Sequence, residues 1–192
     1  MPFELSDNEK KFLLQLARQT ILDYFEGLER QRQAYYSEIL KEHTGAFVTL
    51  TLNGELRGCI GYVDPLLPLQ DTIAEMAISA AFNDPRFPSL NREEFQFTEI
   101  EISVLTPKEK VKDISEIHIG RDGIIVKKGN REGLLLPQVA SEYGWDTISF
   151  LEQTCRKAGL HSQAWKESGT EIFSFSALIF GESDYDKSEL EP

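Results

Sequence analysis

The run Leu56-Arg57-Gly58-Cys59-Ile60-Gly61 can hardly be anything but a strand. It follows Asn53-Gly54, which in turn follows the apolar and threonine run 46–52. Two such runs around Asn-Gly spell an antiparallel hairpin. Alternation puts Leu56, Gly58, Ile60 and Tyr62 on one face, and Arg57, Cys59 and Gly61 on the other. The first set suits a packed core. The second, a thiol and a guanidinium beside bare backbone, suits the lining of a cleft. A three-residue loop pairs Leu52 with Leu56, Leu50 with Gly58, Thr49 with Cys59 and Val48 with Ile60. That register makes one face wholly apolar and is the one expected. It leaves Gly54 in the middle of the loop, where such loops usually carry glycine last.

The rest of the chain mixes helices with hairpins. Ser6 and Glu9 form an S-x-x-E capping box ahead of Leu13, Leu16, Ala17, Thr20, Ile21, Tyr24 and Leu28 at helical spacing. The polar run Glu29-Arg30-Gln31-Arg32-Gln33 reads as the exposed end of that helix or a linker. Pro68 opens a second helix that must stop before Pro85, and Thr98 to Leu105 reads as a strand. Asn83-Asp84-Pro85-Arg86-Phe87-Pro88 is a stiff loop, with two prolines in four positions. Gly129-Asn130 turns a second hairpin, and a short helix is expected around Val139 to Tyr143. Asp146 caps a helix ending at Gly159, and Glu171 to Ile179 is the last strand. Without regular βαβ alternation, the fold class is α+β with mainly antiparallel sheets and flanking helices. A single domain over 1–181, followed by a disordered acidic tail over 182–192, is the expected organisation.

The net charge of −12 bears on partners. The tail holds five carboxylates against one lysine, leaving −8 on the body. Nucleic-acid binders show a basic face. Here Lys108, Lys110 and Lys112 alternate with Glu109 and Asp113, and only Lys127, Lys128 and Arg131 make a local basic spot, read as a hairpin tip. No nucleic-acid partner is expected. Two cysteines and three histidines show no CxxC, HxxxH or HExxH spacing, so neither a metal nor another cofactor is expected. The first residues lack a basic region followed by an apolar run, and no stretch approaches the roughly 20 apolar residues of a membrane span. The expected location is the cytoplasm, with thiols reduced.

Cys59 is the candidate for chemistry. A thiol ionises near pH ~8.5, and a neighbouring cation raises its thiolate fraction. Arg57 is two positions away, and Gly58 and Gly61 leave backbone amides open to a ligand. The alternative is that Cys59 is a small apolar filler and both glycines serve sheet packing. Asp84 and Arg86, on the stiff loop, read either as charged groups held near a cleft or as a structural ion pair, and Arg57 with Asp84 is another pairing. His43 lies near the hairpin's entry, and nothing in the spacing places it at Cys59. Cys155 reads as structural, because Gly159 and Leu160 fit a Schellman ending that packs back on it.

With these pieces assembled, the chain resembles the AMMECR domain family. The matching segments are Leu56-Arg57-Gly58-Cys59-Ile60-Gly61, Asp84-Pro85-Arg86-Phe87-Pro88, Gly120-Arg121-Asp122-Gly123, Leu134-Leu135-Leu136-Pro137-Gln138-Val139, Gly144-Trp145-Asp146 and Lys157-Ala158-Gly159-Leu160. The resemblance implies a larger and a smaller interleaved subdomain, with the cysteine motif near a groove between them. Prokaryotic members look like the first component of the AmmeMemoRadiSam system, whose other components resemble Memo proteins and radical S-adenosylmethionine enzymes. Those proteins are the partners it implies. No established reaction comes with the family. Arg57, Gly58, Gly61, Asp84 and Arg86 are then candidate binding residues for a small molecule, peptide or partner. Cys59 acting as nucleophile or redox thiol is the enzymatic alternative.

Overall fold

The computed structural model describes residues 3–28 and 34–190, and the run 29–33 read above as helix end or linker lies outside them. The chain divides into two compact units, one made of 1–105 with 178–192 and the other of 106–177.

In the first unit, α1 (Asp7–Phe25) begins at the expected capping box: Ser6 accepts from the Glu9 N–H, and Glu9 returns to the Ser6 N–H at 2.8 Å. Leu13, Leu14, Leu16, Ala17, Thr20 and Ile21 are buried, whereas Tyr24 and Leu28, on the same expected stripe, stay 54% and 56% exposed. β1 (Ala46–Leu52) and β2 (Glu55–Tyr62) form the hairpin. Asn53 and Gly54 both have positive φ (53° and 80°), which makes the connection a tight two-residue turn pairing Leu52 with Glu55 and Thr51 with Leu56. The register then slips, so that Leu50 meets Gly58, Thr49 meets Cys59 and Val48 meets Ile60. The expected register therefore holds from Leu50 inward and fails at the tip. A β-bulge at Arg57 reconciles the short turn with the apolar face.

α2 (Leu69–Phe82), the single turn α3 (Arg92–Phe95) and β3 (Thr98–Leu105) complete this unit's main elements, with β3 antiparallel to β1. Val48, Leu50, Ile100, Ile102 and Val104 form the sheet side of the core, under Leu13, Ile21, Ile73 and Met76 from the helices. The small residues Ala77, Ala80 and Ala81 bring α2 close to the strands. Residues 182–190 depart from the expected disorder, and 191–192 of the expected tail lie outside the described residues. Glu182 accepts both nitrogens of the Arg18 fork at 2.5 Å and the Ile100 N–H at 2.9 Å, while Tyr185 and Leu190 pack on the core. Glu182 and Glu189 are tied down because α1 and β3 offer them donors, Lys11 of α1 serving Glu189.

The second unit holds β4 (Glu109–Lys110), β5 (Asp122–Lys128), β6 (Arg131–Leu135), α4 (Pro137–Glu142), α5 (Thr147–Lys157) and β7 (Thr170–Gly181), whose last residues from 178 belong to the first unit. β7 pairs antiparallel with both β4 and β5, and β5 with β6. The core gathers Ile124, Val126, Phe150, Leu151 and Cys155. The basic spot at the hairpin tip is spent internally: Lys127 pairs with Glu132, Lys128 with Glu167, and Arg131 donates to the Gly159 carbonyl.

Asp146 caps α5 by accepting from the Ser149 N–H at 2.7 Å. At its other end Gly159 donates to the Arg156 carbonyl and Leu160 to the Cys155 carbonyl, both at 2.9 Å, which is the Schellman ending. Burial pushes the Cys155 thiol above its ordinary value. Gly159 has φ +70° with no atom within 4 Å of where a Cβ would stand. Gly159→Ala is therefore expected to cost only the left-handed backbone penalty, about 1 kcal/mol, read as a lower denaturant midpoint with unchanged slope.

Candidate functional site

β2 is an edge strand of its sheet, with β1 as its one neighbour. At Cys59 the free edge is met by the loop that follows α2. The Cys59 N–H donates to Asp84 Oδ2 at 2.9 Å, and Arg86 Nη2 donates to the Cys59 carbonyl at 3.1 Å. Arg86 is forked onto the same carboxylate, Nε to Oδ1 at 3.0 Å and Nη2 to Oδ2 at 2.7 Å, and its backbone N–H adds a bond to Oδ1 at 3.1 Å. Asp84 is buried, and the Arg86 guanidinium holds its carboxyl far below the usual carboxylate range. Arg86 itself is more than half exposed. A charged donor is thus fixed in orientation at the surface by a buried anchor, with the rotamer entropy of an ordinary surface arginine already removed.

The thiol of Cys59 accepts a hydrogen bond from Thr49 Oγ1 at 3.2 Å, and the residue as a whole is partly exposed. Thr49 lies opposite Glu101 of β3, so Cys59, Thr49 and Glu101 stand in one row across the face turned away from the Val48 and Leu50 core. Burial, then the charge of Asp184, push the Glu101 carboxyl above its ordinary value.

Arg57 does not stand beside this thiol as the sequence reading expects. The bulge sends its side chain to the far end of the proline loop, where Nη2 donates to the Pro88 carbonyl at 2.9 Å and to Glu94 Oε2 at 3.1 Å. Arg57 is 8% exposed, and it draws the Glu94 carboxyl below its usual value. Phe87 lies within cation–π range of both arginines, 6.0 Å from Arg57 and 5.5 Å from Arg86. The loop is therefore gripped twice, by Cys59 near its start and by Arg57 at its end. Asp84 pairs with Arg86, and Arg57 pairs with Glu94.

The glycines also serve differently from the bare backbone expected for a ligand. A Cβ on Gly58 would strike the Ala80 carbonyl of α2, and one on Gly61 would strike the Ala46 carbonyl and the Phe47 ring. The chain's own atoms fill the space these glycines leave. His43 bonds weakly to the Pro65 carbonyl (3.4 Å), and among the described residues no histidine hydrogen-bonds Cys59. Nor do the described residues contain a group of His, Cys, Asp and Glu able to hold a metal ion, or a helix long and apolar enough to cross a membrane.

The AMMECR1 family model matches residues 14–180. The chain belongs to the AMMECR1 family. It is 43% identical over 185 residues to a protein of Methanothermobacter thermautotrophicus, covering 93% of this chain and 96% of that one. It is 44% identical over 190 residues to protein MK0488 of Methanopyrus kandleri, covering 94% and 92%. The crystal structure of uncharacterized protein PH0010 from Pyrococcus horikoshii is similar, with a TM-score of 0.75, 41% identity and 93% coverage of each chain.

Within this AMMECR1 site, the structure brings Cys59, Asp84 and Arg86 together, and leaves Arg57 as the prop of the loop. Thr49 and Glu94 are the residues sequence reasoning missed. Both had signals: Thr49 faces Cys59 in the expected register, and Asn91-x-x-Glu94 is a capping box, which α3 indeed uses.

Proposed function

We propose that the chain is a binding component of an AmmeMemoRadiSam-type system, engaging a small ligand, a peptide or a Memo-like or radical S-adenosylmethionine partner at Cys59 and Arg86. Arg57, Asp84, Gly58 and Gly61 position that surface. The observation that carries this reading is the exposed Arg86 guanidinium held by buried Asp84 beside the partly exposed Cys59. A pre-fixed guanidinium suits a carboxylate or other anion on the partner, because little orientational freedom is left to lose on binding. The enzymatic alternative, with Cys59 as nucleophile or redox thiol, is favoured by the Thr49 hydroxyl donating to its sulfur and by Glu101 in the same row. A thiolate accepting that bond is oriented for attack.

Titration of the chain against purified Memo-like and radical S-adenosylmethionine proteins tests the binding reading. Saturable binding is expected, weakened at least about tenfold by Arg86→Gln. Absence of binding to both, together with no ligand that raises the melting temperature, would refute it. Retained binding by a Cys59→Ser variant that has lost function in cells would favour the enzyme instead. Thiol labelling gives a simpler check. One equivalent of maleimide is expected to modify Cys59 in the native protein, and Cys155 only after unfolding, as peptide mass mapping would show.

A further inference from the structure

On the helical side of the first unit, α1 and α2 part along a groove of about 460 Å³. Asp23, Tyr24 and Leu28 line it from the end of α1, and Ala74, Glu75 and Ile78 from α2. None of these residues belongs to the Cys59 surface. The walls mix the polar Thr20, Ser79 and Asn83 with open apolar side chains: Tyr24 and Leu28 are 54% and 56% exposed, and Tyr24 stacks on Phe82 with ring centroids 4.2 Å apart. Stacking fixes the ring and leaves its other face uncovered.

Among the described residues, the charge lining the groove has one sign. Gln19 Nε2 donates to Asp23 at 2.6 Å and the Tyr62 hydroxyl to Glu75 at 2.6 Å, so both carboxylates are held by neutral donors. Among the described residues neither is paired with a cation. Arg92, which comes near this corner, is taken by Glu26 at 3.2 Å. Asp23 also lies in the last turn of α1, where the helix dipole is negative, and neither helix carries a basic residue in its last turn. The Asp23 carboxylate thus stands where folding stability alone favours lysine or arginine.

We infer that this groove docks a basic segment of a partner protein, a lysine or arginine flanked by apolar residues. Its aliphatic stem lies along Leu28, Ile78 and the free face of Tyr24, and its cationic head is taken by Asp23 and Glu75. The exposed apolar side chains choose a protein segment over a free amine. A lone polyamine satisfies the carboxylates but leaves Tyr24 and Leu28 uncovered, whereas apolar neighbours of the basic residue cover them.

The probe is a capped pentapeptide of alternating leucine and lysine, titrated into the 15N-labelled full chain. Shift changes are expected at 20–28 and 74–83. Asp23→Asn combined with Glu75→Gln is expected to weaken binding at least about tenfold, and the same peptide with glutamate for lysine to show no binding. Leu28→Ser, at an exposed position that the fold does not need, is expected to weaken binding about threefold and separates groove loss from misfolding. Shifts elsewhere, an unaltered affinity in the double variant, or spermidine binding as tightly as the peptide would overturn the inference.

Discussion

Gly58→Ala is expected to cost about 3 kcal/mol or to prevent folding, the largest effect of any single methyl group at the Cys59 site. The added Cβ would lie on the Ala80 carbonyl, a backbone atom in the last turn of α2. Neither partner can yield alone, because β2 is fixed by its pairing with β1 and α2 by its apolar face on the core. The control is Gly54→Ala in the same hairpin. Gly54 has φ +80° and no atom within 4 Å of the added Cβ, so only the backbone penalty of about 1 kcal/mol applies. Urea midpoints for the two variants separate the mechanisms. Equal losses would mean that the close approach of β2 to α2 is not what selects glycine at position 58.

Asp84→Asn is expected to cost about 3 kcal/mol near neutral pH and to disconnect the loop from Cys59. The carboxylate accepts four hydrogen bonds, three of them from Arg86, and an amide cannot accept on both sides of the fork. The pH dependence carries the sign of the effect. The Arg86 fork depresses the Asp84 carboxyl in the folded state. Its contribution is fully present above the unfolded carboxyl value of about 3.9 and is lost as pH falls toward the folded value. The stability difference between wild type and Asp84→Asn should therefore be flat above about pH 5 and shrink below about pH 4. A difference that grows on acidification would sink the assignment of Asp84 as the ionised anchor.

Much of this architecture is legible in the chain because the governing signals are local. The Ser6–Glu9 box, the Asp146 cap and the Gly159 ending each rest on a few consecutive residues, and each forms as read. Arg57 and Cys59 show where such reading runs out. Their shared face follows from strict alternation, and alternation fails at a bulge that only the combined demands of turn and core produce. The identity of Arg86 as the guanidinium at Cys59 depends on where a loop 25 residues away lands on the strand edge. The fate of residues 182–190 was hidden for the same reason: composition advertises a solvated tail, and the donors that capture it, Arg18 and the Ile100 N–H, are far off in sequence.

The contacts of Asp84 and Arg86 with the Cys59 main chain have a further consequence for how the protein behaves in a crowd. An open β edge invites a foreign strand to zip onto it, the first step of aggregation or domain exchange. Here the rim of β2 is stoppered at Cys59 by two charged side chains. The same contacts that present Arg86 at the surface thus also guard the molecule against polymerising through this edge strand.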